Sequence, residues 1–88
     1  GATADPHDLT RLKGVGPKFA ARLNELGIAR YEQLATMNGN EAERLDAQLG
    51  PFRGRLARDR VVEQAGYLAR GDQDGFEAAF GKLGGGGA

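Results

Sequence analysis

Glycine and proline cut this chain into short pieces, and one cluster of them is the tightest constraint on its fold. In Arg11-Leu12-Lys13-Gly14-Val15-Gly16-Pro17-Lys18-Phe19-Ala20-Ala21-Arg22-Leu23, two glycines and a proline fall between apolar stretches and are followed at once by a cation. Proline suits the first position of a helix, and glycine reaches backbone conformations closed to other residues. The bend therefore either joins two helices or holds an anion on the amides that the second helix leaves without partners.

Punctuation of the same kind recurs along the chain and reads throughout as helical. Asp5 is expected to cap a first helix, with Pro6 at its first position and Asp8 in its acidic first turn. Leu9 and Leu12 share a face before Gly14 stops it. A second helix is expected from Pro17, with Phe19, Leu23 and Leu26 at helical spacing and Gly27 ending it. Ile28 and a short third helix follow, Tyr31 to about Met37, carrying Leu34. Asn40 and Glu43 read as a capping box for a fourth helix to Leu49, before Gly50 and Pro51 break the chain. The fifth and longest is expected over about 54–70, with Ala57, Val61, Ala65 and Leu68 as its stripe. After Gly71, Asp72 or Asp74 caps a short last helix presenting Phe76, Phe80 and Leu83 to the core. Strand-like alternation is missing, so the expected class is all-α. One domain is expected over 5–83, with a disordered end at 1–4 and a flexible glycine-rich tail at 84–88; a longer protein could carry such a piece.

A weak internal repeat accompanies this pattern at an offset of 37 residues. It pairs Leu12 with Leu49, Val15 with Phe52, Lys18 with Arg55, Phe19 with Leu56 and Ala20 with Ala57. Each copy reads as helix, tight turn with an apolar tip, basic residue, helix, with the third helix as connector.

Charge and chemistry narrow the function classes. Twelve basic residues balance twelve acidic ones, whereas a dedicated nucleic-acid domain is usually basic overall. The distribution is uneven: Arg11, Lys13, Lys18 and Arg22 form an acid-free run, and Arg53, Arg55, Arg58 and Arg60 meet Asp59 alone. The chain has no cysteine and no serine, so thiolate metal sites, disulfides and the commonest nucleophiles are excluded. The acids are scattered over helix starts and faces and do not cluster as a magnesium-dependent nuclease requires. His7 reads as an exposed helix residue, the pair Asp72 and Asp74 as caps, and Phe19, Phe52, Phe76 and Phe80 as core. No enzyme, metal or cofactor is expected. No apolar run reaches membrane-span length, and no signal-peptide pattern is expected from the first residues given.

Leu12-Lys13-Gly14-Val15-Gly16-Pro17-Lys18 resembles the helix-hairpin-helix motif, and the resemblance extends over about residues 5–70. The stretches DLTRLKGVGPKFAARLNELGI, YEQLA and GRLARDRVVEQAGYLA are similar to a helix-hairpin-helix module appended to bacterial proteins. Among them are a large-subunit ribosomal protein and a thioredoxin-like subunit of NADH–quinone oxidoreductase. The resemblance implies a five-helix tandem unit, here followed by a short C-terminal helix, whose glycine hairpins grip a sugar–phosphate backbone without reading sequence. It assigns Gly14, Val15 and Gly16 to hairpin geometry and amides, and Lys18 and Arg22 to charge. Arg53, Arg55 and Arg58 belong to a second hairpin that lacks the Gly-x-Gly spacing. The expected function is non-enzymatic binding of the DNA, or RNA, backbone by a cytoplasmic module that is monomeric in isolation. The alternative is a protein–protein docking module in which the hairpin is purely structural. The balanced charge favours the alternative and the paired basic hairpins favour the first.

Overall fold

The computed structural model describes residues 6–83; the expected ends at 1–4 and 84–88, and the cap expected at Asp5, lie outside them. Within them the chain is all-α, with no strand among the described residues. Six α-helices run α1 Pro17–Glu25, α2 Tyr31–Ala35, α3 Gly39–Asp46, α4 Arg55–Arg58, α5 Val61–Ala69 and α6 Gln73–Phe80. Two single turns of 3-10 helix, Leu9–Arg11 and Gly50–Phe52, precede α1 and α4.

The core gathers one or two residues from nearly every element. Leu9, Leu12, Val15, Phe19, Leu23, Leu34, Leu49, Leu56, Val61 and Ala65 are buried in one cluster with Tyr31 and Leu45. A fully buried side chain the size of Phe19 contributes about 1.5–3 kcal/mol relative to exposure. Helix α5 is the hub: α2 packs on it from one side, α6 from another, and α4 leads into it. Phe76 is fully buried beneath α6, while Phe80 stays half-buried and meets Tyr67 edge-on at 6.0 Å.

Five expectations are corrected. The first helix is only the turn Leu9–Arg11, because Asp8 is the cap: its Oδ1 accepts from the Thr10 amide at 3.0 Å. Between that cap and the bend at Gly14 there is room for one turn. Pro6 and His7 therefore precede the helix, and His7 is no exposed helix residue. Its Nδ1 accepts from the Tyr31 amide at 2.8 Å and its ring stacks on Tyr31 at 4.2 Å. The capping box lies two residues earlier than expected, with Glu41 N donating to Asn38 and Asn38 N to Glu41. The long fifth helix is broken at Asp59–Arg60, where Arg60 takes a left-handed conformation at φ 53°. Ala57, expected on the core stripe, is exposed, and Leu56 is buried in its place.

Candidate nucleic-acid interface

The two bends repeat each other in hydrogen bonding. Val15 N donates to Leu12 O at 3.0 Å, and Phe52 N donates to Leu49 O at 3.1 Å, the same pair of positions 37 residues apart. Leu12 and Leu49 are both fully buried, and the tips Val15 and Phe52 both turn inward. Phe52 stacks on Phe19 with ring centres 5.0 Å apart, so the second tip packs on the helix that follows the first.

The bends differ in what becomes of their free amides. At the first, Gly14 has φ +91° and Gly16, extended, caps α1 with no side-chain hydrogen bond. The amides of Gly14, Gly16, Lys18 and Phe19 have no hydrogen-bond partner among the described residues. Beside them lies an open cleft of about 350 Å³, lined by Thr10 to Gly16. A helix start of this kind concentrates unpaired donors and partial positive charge. At the second bend a carboxylate of the protein already sits in that place. Asp46, at the end of α3, accepts from Gly54 N at 2.7 and 2.9 Å and from Leu56 N at 3.5 Å.

The sequence-predicted cations also divide. Lys18 is exposed and forms no ion pair among the described residues; the same holds for the side chain of Arg53. Arg22 points at the end of α3, donating from Nε and Nη2 to Gln48 O at 3.1 and 2.9 Å, with Glu25 at 3.4 Å. Arg55 lies over the Phe52 ring, 5.6 Å from its centre. Arg58 forms a two-armed pair with Asp59, both contacts 3.1 Å, and hydrogen bonding to that carboxylate pushes the guanidinium further up from its ordinary value.

Gln64 is the residue at the first bend that sequence reading missed. It is the one buried polar side chain of the described core, 1 % exposed. Its Oε1 accepts from Lys13 N at 2.6 Å, and its Nε2 donates to Lys13 O at 3.0 Å and Asp59 O at 2.7 Å. One side-chain amide thus ties both backbone groups of Lys13, at the start of the first bend, to the break after α4. Lys13 is further held by its Nζ donating to Lys82 O at 2.7 Å. Among the described residues, no group of three or more His, Asp or Glu is placed to hold a metal ion, and no helix is long and apolar enough to cross a membrane.

A family model for the RS2/RL21/YNQ2 HHH domain matches residues 9–69, from the first 3-10 turn to the end of α5. The small ribosomal subunit protein uS2 of Methylorubrum populi is 47% identical over 60 residues, covering 68% of this chain and 17% of the relative. An "uncharacterized 22.9 kDa protein in nqo2 3'region" of Paracoccus denitrificans is 40% identical over 68 residues, 77% of this chain and 32% of that one. The large ribosomal subunit protein bL21 of Jannaschia sp. is 40% identical over 62 residues, 70% of this chain and 24% of the relative. The chain therefore spans between about a sixth and a third of these curated relatives. No solved structure matches it.

Proposed function

The chain belongs to the RS2/RL21/YNQ2 helix-hairpin-helix family, and on that footing we propose that it is a non-enzymatic, cytoplasmic module that binds a nucleic-acid backbone weakly and without sequence preference. The observation that carries this reading is the first bend, with its row of unpartnered amides beside the unpaired Lys18. Gly14, Gly16 and Lys18 supply the donors, Val15 anchors the tip, and Lys18 adds a full charge. Arg53 extends the basic surface, with Arg55 and Arg58 contributing where their present partners release them. Arg22 acts indirectly, tying α1 to the end of α3. The second bend binds chiefly through its arginines, since Asp46 takes its Gly54 and Leu56 amides. The ribosomal names of two relatives support a place within a larger complex.

A titration with a short mixed-sequence duplex, followed by amide resonances, tests this. Gly14, Gly16 and Lys18 should shift before any residue of α6. Non-specific dissociation constants run around 10⁻⁴ to 10⁻⁶ M, and the weak end is expected here. The log–log salt slope should be about −2 to −4, for roughly three neutralised phosphates. Scrambling the duplex should change little, because backbone contacts carry no sequence information. Lys18→Ala should lower affinity and flatten the slope by about one without changing the fold.

Docking to a protein is the second reading, favoured by a groove of about 500 Å³ between α3 and α4–α5 whose floor includes Met37, Ala42, Leu56, Ala57 and Val62. If the bend's amides stay still at low salt and millimolar duplex, docking is the better account.

A further inference from the structure

The contact between the first bend and the break after α4 carries an additional consequence, which rests on the backbone-binding reading. Gly14 has no side chain, and the space a Cβ would take there is occupied by Asp59: its Cγ would lie 2.7 Å from that atom, with the carboxylate oxygen closer still. The Asp59 side chain is 21% exposed and is set there from both ends. Its backbone carbonyl is held by Gln64, the residue that also grips Lys13. Its carboxylate is clasped by Arg58, whose side chain is 61% exposed. No backbone amide donates to the Asp59 carboxylate among the described residues, so it does not quench the free donors of the bend as Asp46 does at the second.

We infer that Asp59 is a built-in restraint on the anion site at the first bend, setting how tightly the module holds a phosphate backbone. It acts in two ways at once. A negative charge packed against Gly14 opposes a phosphate approaching the neighbouring amides. The same carboxylate holds Arg58, a cation otherwise free to reach the next phosphate along the strand. Both effects lower affinity, and both vanish when the carboxylate becomes a neutral amide of the same shape.

The test compares the wild-type domain, Asp59→Asn, Lys18→Ala and the double variant Arg58→Gln/Asp59→Asn, titrated with one 20-base-pair mixed-sequence duplex at several salt concentrations. Asp59→Asn should bind about three- to tenfold more tightly, as expected for removing one surface charge beside the contact. Its salt slope should steepen by about one as Arg58 takes up a phosphate. The double variant should keep part of the gain in affinity and lose the extra slope. If Asp59→Asn matches wild type while Lys18→Ala weakens binding, the restraint is refuted and the binding reading stands. If none of the four binds at low salt, the binding reading itself fails and the restraint falls with it. Should Asp59→Asn fail to fold, Asp59→Ser removes the same charge and carries the same expectation.

Discussion

Gly14 and Gly16 stand two residues apart and answer to different constraints. Gly14 combines φ +91° with Asp59 packed where a Cβ would go. Alanine there must accept a left-handed backbone, which costs about 1–2 kcal/mol, and must also displace Asp59. Gly16 is extended at φ −87°, ψ −177°, and a Cβ on it meets nothing within 4 Å. That is the conformation an aspartate adopts when it caps a helix, and a capping aspartate is worth about a few tenths of a kcal/mol more than glycine at the same position. Gly16→Asp should therefore leave the melting temperature unchanged or raised, while abolishing the duplex-induced shifts at the bend. Gly14→Ala should lower it by several degrees. The opposite signs of stability and binding in Gly16→Asp separate a phosphate site from a joint. Loss of both together would mean that this glycine serves only the fold.

At the scale of elements, Asn38 shows where the sequence was legible and where it was not. Its side chain accepts from Glu41 N at 2.8 Å while Glu41 accepts from Asn38 N at 2.9 Å. Asn38→Ala should cost about 1 kcal/mol, read by denaturant midpoint, and Asn40→Ala, one position into α3, should cost far less. Both asparagines fit the N-x-x-E pattern, so the pattern alone could not choose between them. The order of helices α1 to α3 and the buried tip at Val15 followed from glycine, proline and apolar spacing, which act locally. The break at Asp59–Arg60 did not, because Ala57 and Val61 keep helical spacing across it. The contacts made there reach beyond the helix: Gln64 joins the Asp59 carbonyl to both backbone groups of Lys13, and Arg60 lies 4.7 Å over the Phe80 ring. The candidate site divides the same way. Gly-x-Gly-Pro-Lys announced the first bend, but only the folded chain brings Asp46 to the second and Asp59 to the first.

For the whole molecule, charge balance at neutral pH hides an asymmetry in how the acids are engaged. Four carboxyls are held below their ordinary values. Asp8 is lowered first by the Thr10 hydroxyl, Glu32 by Arg30, Glu63 by Arg60 and Glu77 by the Leu83 amide. Each therefore binds a proton less readily folded than unfolded, so stability rises with pH through the carboxylate range. The contribution is complete above about pH 5 and is lost as pH falls below about 4. All four are solvent-facing, so the effect on the core is small. Two of them act at one end of the molecule. Glu77 accepts from Leu83 N at 2.8 Å, and Glu63 steadies the arginine that lies on Phe80. Acid should therefore loosen α6 and residues 81–83 before it unfolds the family core at 9–69. Hydrogen exchange at the Leu83 and Gly81 amides, measured between pH 6 and pH 3 and corrected for intrinsic rates, should accelerate ahead of any drop in melting temperature. Protection falling equally in α5 and α6 would mean that the C-terminal helix is welded to the core by Phe76 alone. The carboxylates at its end would then be ornaments of the surface, and the acid sensitivity of this end would have to come from elsewhere.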